Sequence, residues 1–110
     1  MKFRLVEDLE SDLRDRKSNE NEIIKYAQDR LSEAGFEESS KLNGYSFTTT
    51  YETETTIYDC QFYIDTSSKT YSSYVTSEED GTKQSTFQQK GPIDGVREAV
   101  DKLLKYLETI

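Results

Sequence analysis

The sequence predicts an α+β fold: a four-stranded antiparallel β-meander with an N-terminal and a C-terminal helix packed on one face. Three observations predict it. Apolar residues recur at helical spacing over residues 20–34 and again over residues 92–108. Between them, from Gly44 to Lys90, Tyr, Thr, Ser and Phe recur at period two, which is the chemistry of strands. At 110 residues without a linker, repeat or low-complexity stretch, residues 1–110 read as one domain.

Residues 1–18 carry a weak alternation at Phe3 and Leu5, then a charged run with Leu9 and Leu13 four apart. They read as a short strand or a mobile lead-in. The first firm element is the helix at 20–34. Asn19 stands three residues before Glu22, the spacing at which a cap side chain and a first-turn carboxylate satisfy each other's N–H groups. Ile23, Ile24, Ala27, Leu31 and Ala34 form its apolar stripe. Gly35 supplies a left-handed C-terminal cap, and Phe36 is placed to fold back on Leu31.

The strand registers follow from asking which turns align the apolar residues. A loop centred on Glu54-Thr55 sets Tyr51 against Tyr58, Thr49 against Cys60, Phe47 against Phe62 and Tyr45 against Ile64. A turn at Ser67-Ser68 sets Ile64 against Tyr71 and Cys60 against Val75. A three-residue loop at Glu79-Asp80-Gly81, with Gly81 left-handed, sets Val75 against Ser85 and Ser73 against Phe87. All three registers gather the greasy residues on one side, and a one-residue slip scatters them. The last helix, 92–108, is expected to start at Pro92, with Asp94 complementing the helix dipole. Ile93, Val96, Val100, Leu103, Leu104 and Leu107 make a wide apolar stripe that covers the same side of the sheet.

The other side of the sheet is left bare by this arrangement. The same registers place on it Ser46, Thr48, Thr50, Glu52, Asp59, Gln61, Tyr63, Asp65, Thr70, Ser72, Tyr74, Thr76, Gln84, Thr86 and Gln88. Tyr63 and Tyr74 fall on adjacent strands a diagonal apart, and aromatics among small polar residues are typical interface anchors. No Lys or Arg occurs between Leu42 and Ser68, whereas Glu52, Glu54, Asp59 and Asp65 fall inside that stretch. The Glu78-Glu79-Asp80 turn lies at the same end as Glu54. These nine residues are the candidate partner-binding set: Tyr63 and Tyr74 as anchors, the seven carboxylates as charge. A solvated sheet face, with charges that blunt aggregation, accounts for the same pattern.

Composition narrows the function. The chain has 22 acidic and 14 basic side chains, a net charge of −8, which repels nucleic acid and anionic membrane and favours basic protein surfaces. Tyrosines on a sheet can stack bases, but a face this acidic has the wrong field for phosphates. There is no His, the commonest general base, and Cys60 is expected on the core side away from any base. So many carboxylates make any catalytic pair non-specific. Glu78-Glu79-Asp80-Gly81 lacks the alternating oxygen ligands of a calcium loop, and Gly91-Pro92-Ile93-Asp94-Gly95 lacks the glycine spacing of a phosphate loop. No catalytic residue, metal site or cofactor is expected. With one Cys, no internal disulfide forms. The opening residues lack the apolar region of a signal peptide, and no run is long enough to span a membrane, which predicts a cytoplasmic protein, monomeric by its charge.

Three segments carry a resemblance: the opening Met1-Lys2-Phe3-Arg4-Leu5-Val6-Glu7-Asp8-Leu9, the Tyr26-Ala27-x-x-x-Leu31-x-x-Ala34-Gly35-Phe36 helix end, and the closing Val100-Asp101-Lys102-Leu103-Leu104-Lys105-Tyr106-Leu107. They resemble small acidic proteins encoded by bacterial phages and mobile elements, and in size, charge and α+β build the chain is similar to anti-CRISPR proteins. That resemblance, one of style over the whole chain, transfers no residue. It implies an inhibitor that acts in the bacterial host cell, binding a Cas nuclease and setting carboxylates where DNA phosphates would go. An immunity protein or antitoxin neutralising a toxin nuclease would use the same surface. A structural or assembly subunit would instead bury the open face or a sheet edge against its own copies.

Overall fold

The computed structural model describes residues 20–110, so the readings of residues 1–18 and of the Asn19 cap lie outside the described residues. Helix α1 covers residues 20–33. Five strands follow: β1 (Glu37–Lys41), β2 (Gly44–Glu52), β3 (Ile57–Asp65), β4 (Thr70–Glu79) and β5 (Thr82–Pro92). A 3-10 turn, Ile93–Gly95, leads into helix α2 (Val96–Leu107). The strands form one antiparallel sheet in sequence order, so every connection joins neighbours.

The end of α1 is built as its sequence dictates. Gly35 takes a left-handed φ of 93°, which lets the Phe36 N–H donate to the Leu31 carbonyl at 2.9 Å. The Tyr51 hydroxyl donates to the Ala34 carbonyl at 2.9 Å and ties this corner to β2.

The sheet has one strand more than expected. β1 is Glu37-Glu38-Ser39-Ser40-Lys41, exposed at every position, so it has no apolar alternation from which to be read. The β2–β3 and β3–β4 registers are those expected, including Tyr51 with Tyr58, Phe47 with Phe62, and Cys60 with both Thr49 and Val75.

The β4–β5 register differs. Its turn has two residues, Asp80 and Gly81, both left-handed at φ 53° and 80°, between paired Glu79 and Thr82. Two positive φ values are what a tight hairpin requires to match strand twist, and Asp-Gly supplies them. The register then shifts between Val75 and Thr76: Thr76 pairs with Ser85, but Val75 pairs with Phe87 and Ser73 with Gln89. Thr86 is the extra residue of this β-bulge, and its hydroxyl donates to the Val75 carbonyl at 3.3 Å.

The C-terminal helix starts later than expected. Pro92 is the last residue of β5, extended at φ −71° and ψ 157°, and α2 begins at Val96. The Ile93 N–H donates to the Lys69 carbonyl at 2.9 Å, which holds the chain to the β3–β4 turn before it can coil.

Both helices lie on one side of the sheet. Phe47, Cys60, Phe62, Ile64 and Val75 from the strands bury against Ile23, Ile24, Ala27 and Leu31 of α1 and Val96, Ala99, Val100 and Leu103 of α2. Each large apolar side chain so buried contributes about 1.5–3 kcal/mol. Tyrosines 26, 45, 51, 58, 71 and 106 ring this core half-buried, each adding an apolar ring to its rim. At the surface the helices meet through charge: Asp101 takes the Tyr26 hydroxyl at 2.7 Å and Arg30 at 3.6 Å, and Arg97 reaches Glu22 at 3.7 Å.

Candidate functional site

The face opposite the helices can be laid out row by row, because directly paired residues point to the same side. At the end that holds the β2–β3 and β4–β5 turns, the first row is Glu52, Ile57, Glu78 and Lys83. Thr50, Asp59, Thr76 and Ser85 make the second. Glu37, Thr48, Gln61, Tyr74 and Gln88 make the third, now spanning all five strands. Ser39, Ser46, Tyr63, Ser72 and Lys90 follow, and Lys41, Gly44, Asp65, Thr70 and Pro92 close the far end.

Of the nine candidate residues, four gather at one place. Glu52, Glu54, Glu78 and Asp80 line a hollow at the turn end, together with Ile57. Asp59 is one row in, where it accepts from the Thr50 hydroxyl at 3.2 Å. Tyr74 is exposed and Tyr63 half-buried, on the diagonal that the registers require. The Tyr74 hydroxyl donates to Gln61 Oε1, and Gln61 Nε2 donates to Ser46 Oγ at 3.5 Å, so a polar chain crosses β4, β3 and β2. This chain fixes the tyrosine ring against the sheet.

Two candidates stand apart. Asp65 is at the opposite end, and its carboxylate is engaged in its own turn, accepting from Ser67 N–H, Ser67 Oγ and Ser68 N–H at 2.9–3.0 Å. Those bonds, the Ser68 N–H foremost, hold its carboxyl below the usual carboxylate range. Glu79 pairs with Thr82 and so points to the helix side of the sheet. Two neutral residues move as well: the two-residue turn puts Gln84, opposite Ser77, on the helix side, and Thr86 sits in the bulge itself.

The face carries residues that sequence reasoning missed. Ile57 is 40% exposed beside Glu52 and Glu78, and its parity with Asp59 already assigned it to this side. Glu37 and Lys41 arrive with β1, whereas Lys83 arrives because the two-residue turn flips the start of β5. Lys90 was legible by alternation from Gln88. The base-free appearance of residues 42–68 therefore holds for β2 and β3, while the flanking strands bring lysines to the rim. What results is polarised: carboxylates at the turn end and along β2 and β3, cations at the outer strands.

The same geometry leaves little reactive chemistry. Cys60 is buried on the helix side, and that burial, with Asp59 nearby, pushes its thiol up to about 11. Among the described residues no cluster of three His, Cys, Asp or Glu side chains is placed to hold a metal ion, and no helix is long and apolar enough to cross a membrane. Comparisons with protein-family models, with curated proteins and with solved structures found no match to the chain.

Proposed function

We propose that the chain works by binding and not by catalysis, as an inhibitor whose open sheet face docks on a basic, nucleic-acid-binding surface of another protein. The observation that carries this reading is one-sidedness: every helix among the described residues packs on one face, and Tyr74 and Ile57 stand exposed among carboxylates on the other. Aromatic and aliphatic anchors ringed by charge are what a protein interface of ordinary size, about 800 Å² per partner, draws on. The turn-end carboxylates supply the field that steers a basic surface into register. A bacterial defence nuclease of the Cas type, blocked from capturing DNA, is the partner that the resemblance in size, charge and build favours.

The test is affinity for a purified guide-loaded Cas nuclease, measured by calorimetry between roughly 0.05 and 0.5 M salt, with target DNA as competitor. Charge-led docking weakens as salt rises and is mutually exclusive with DNA. Tyr74→Ala, Asp59→Lys and Glu78→Lys each reduce it by about tenfold or more. All three side chains lie outside the core, so their effect on stability is small. Binding that ignores both salt and these substitutions removes the open face from the interface. A toxin nuclease that binds in place of the Cas enzyme makes the chain an immunity protein.

A further inference from the structure

The sheet has a gap in its β1 edge. β1 begins at Glu37, opposite Thr48, whereas β2 runs on through Glu52. Which backbone groups this exposes follows from the hydrogen bonds at the two ends of the β2–β3 ladder. The Thr66 N–H donates to the Asn43 carbonyl at 2.7 Å, and the Thr53 N–H donates to the Thr56 carbonyl at 2.8 Å. Alternation between those ends turns Thr49 and Tyr51 toward β3, and turns Thr50 and Glu52 toward the lane where β1 would continue, which no described residue fills. The next residue in that lane is Gly35, which cannot serve: its N–H is spent on the Ser32 carbonyl at 3.0 Å, and its left-handed φ has already sent the chain toward α1. Among the described residues, the N–H and C=O of Thr50 and Glu52 thus have no backbone partner.

The notch has a shape and a charge. A hollow of about 570 Å³ opens there, lined by Gly35, Glu37, Thr50, Asp59 and Tyr74 among others. Glu37 and Asp59 line it, and Glu52 follows Thr50 along β2 on the same face. Lys41 stands at the far end of the face, and Lys83 and Lys90 lie three strands away on β5. On the helix side Arg30 is engaged by Asp101. The other free edge is defended differently. β5 carries Lys83, Lys90, Pro92 and the bulge at Thr86, which are devices that sheets use against strand addition. Among the described residues the charged groups at the notch in β2 are carboxylates alone, so it repels an acidic strand, a second copy's notch included, and attracts a basic one.

We propose that this notch receives a short, extended, lysine- or arginine-rich segment of the protein partner, added as a strand beside Thr50 and Glu52. It rests on the binding reading above and names the part of the partner that is read by backbone pairing.

Amide exchange on the isotopically labelled full chain, with a capped hexapeptide of alternating lysine and threonine as probe, tests it. In the free protein, Thr50 and Glu52 amides exchange at least about tenfold faster than those of Thr49 and Tyr51. The peptide slows both to the level of their neighbours, whereas a glutamate-for-lysine version and a version N-methylated at alternate amides do not. Thr50→Pro removes a donor the ladder to β3 does not use, and it abolishes the response. The N-methylated peptide keeps the test decisive should that variant fold poorly. The proposal is overturned if Thr50 and Glu52 are protected in the free chain, if the peptide protects β1 or β5 instead, or if rising protein concentration alone protects them. Against the intact partner, loss of binding in Glu78→Lys but not in Thr50→Pro sinks the notch and spares the open face. Partner binding that survives Glu78→Lys but fails in Thr50→Pro does the reverse.

Discussion

A β-carbon built on Gly44 would stand 1.8 Å from the carbonyl oxygen of Ile64. Gly44 is the first residue of β2 after the turn from β1, it is buried, and it pairs with Asp65, so the backbones of β2 and β3 close on each other there. No side chain fits that approach, and the obstacle is backbone, which cannot swing aside. Gly44→Ala is expected to cost about 2–3 kcal/mol, the scale of overpacking, and to loosen the adjoining β1 pairing first. Urea unfolding followed by circular dichroism measures it; an unchanged midpoint contradicts the close approach.

Tyr71 lies across Gly91, its cross-strand partner, and stacks on Phe62 with ring centroids 5.7 Å apart. An added β-carbon on Gly91 would stand 3.1 Å from the ring. The ring covers a residue that has no side chain of its own, and it fills the junction where β5 turns toward α2. Tyr71→Ala should therefore lower stability by about 2–4 kcal/mol, with Tyr71→Phe costing less than about 1. The contrast between the two, read from thermal melts, separates ring packing from the hydroxyl.

Ser73 offers a substitution in the opposite direction. It is 1% exposed, and among the described residues its hydroxyl has no hydrogen-bond partner. A buried unpaired hydroxyl loses water and gains nothing, so Ser73→Ala should be neutral or should stabilise by about 1 kcal/mol. A loss of more than about 1 kcal/mol in the same urea assay means that the hydroxyl is satisfied after all.

The elements that sequence alone made legible are those with a dry side. β2, β3 and β4 bury alternate residues, and the alignment of Phe47, Phe62 and Val75 admits one register. β1 has two wet faces, so its Glu37–Lys41 run encodes pairing only through the turn before Gly44. The β4–β5 register shows how parity can be right while pairing is wrong. A two-residue turn instead of three moves β5 by one place, and the extra residue at Thr86 moves it by another. The two shifts together leave Phe87 on the core side, as expected, but opposite Val75 and not Ser73. Before the bulge only one shift applies, which is why Lys83 and Gln84 exchange sides. The candidate site inherited these effects: its β2–β3 half and Lys90 were readable from alternation, whereas Lys41 depended on a strand that leaves no hydrophobic trace and Lys83 on the length of the β4–β5 turn.

Asp65 predicts a pH dependence at the far turn. Its carboxylate accepts three bonds from Ser67 and Ser68, which favour the charged form, so its folded-state pKa lies below the ordinary 3.8. The stabilisation is then present above that ordinary value and is lost as pH falls through the lower, folded one. Asp65→Asn should melt earlier than the parent chain at pH 7, and the gap should close toward pH 2. A carbon-detected titration that places the Asp65 midpoint at or above 3.8 contradicts the bonded turn.

Cys60 predicts the alkaline counterpart. Its thiol is raised from 9.0 to about 11, first by burial and then by Asp59. The folded chain thus prefers the neutral thiol, while the unfolded chain releases the proton near the ordinary value. The contribution is complete below pH 9 and is drained as pH rises toward 11, by about 2–3 kcal/mol in full. Tyr51, raised by its own burial, adds a slope of the same sign at higher pH, so the comparison must be with Cys60→Ala and not with the parent at neutral pH alone. Relative to that variant, the parent should lose stability faster between pH 9 and 11. At pH 8 a thiol reagent should label the native chain at a rate set by unfolding, accelerating with urea. Rapid labelling without denaturant would place the sulfur outside the core, and with it the side of β3 from which the open face was assigned.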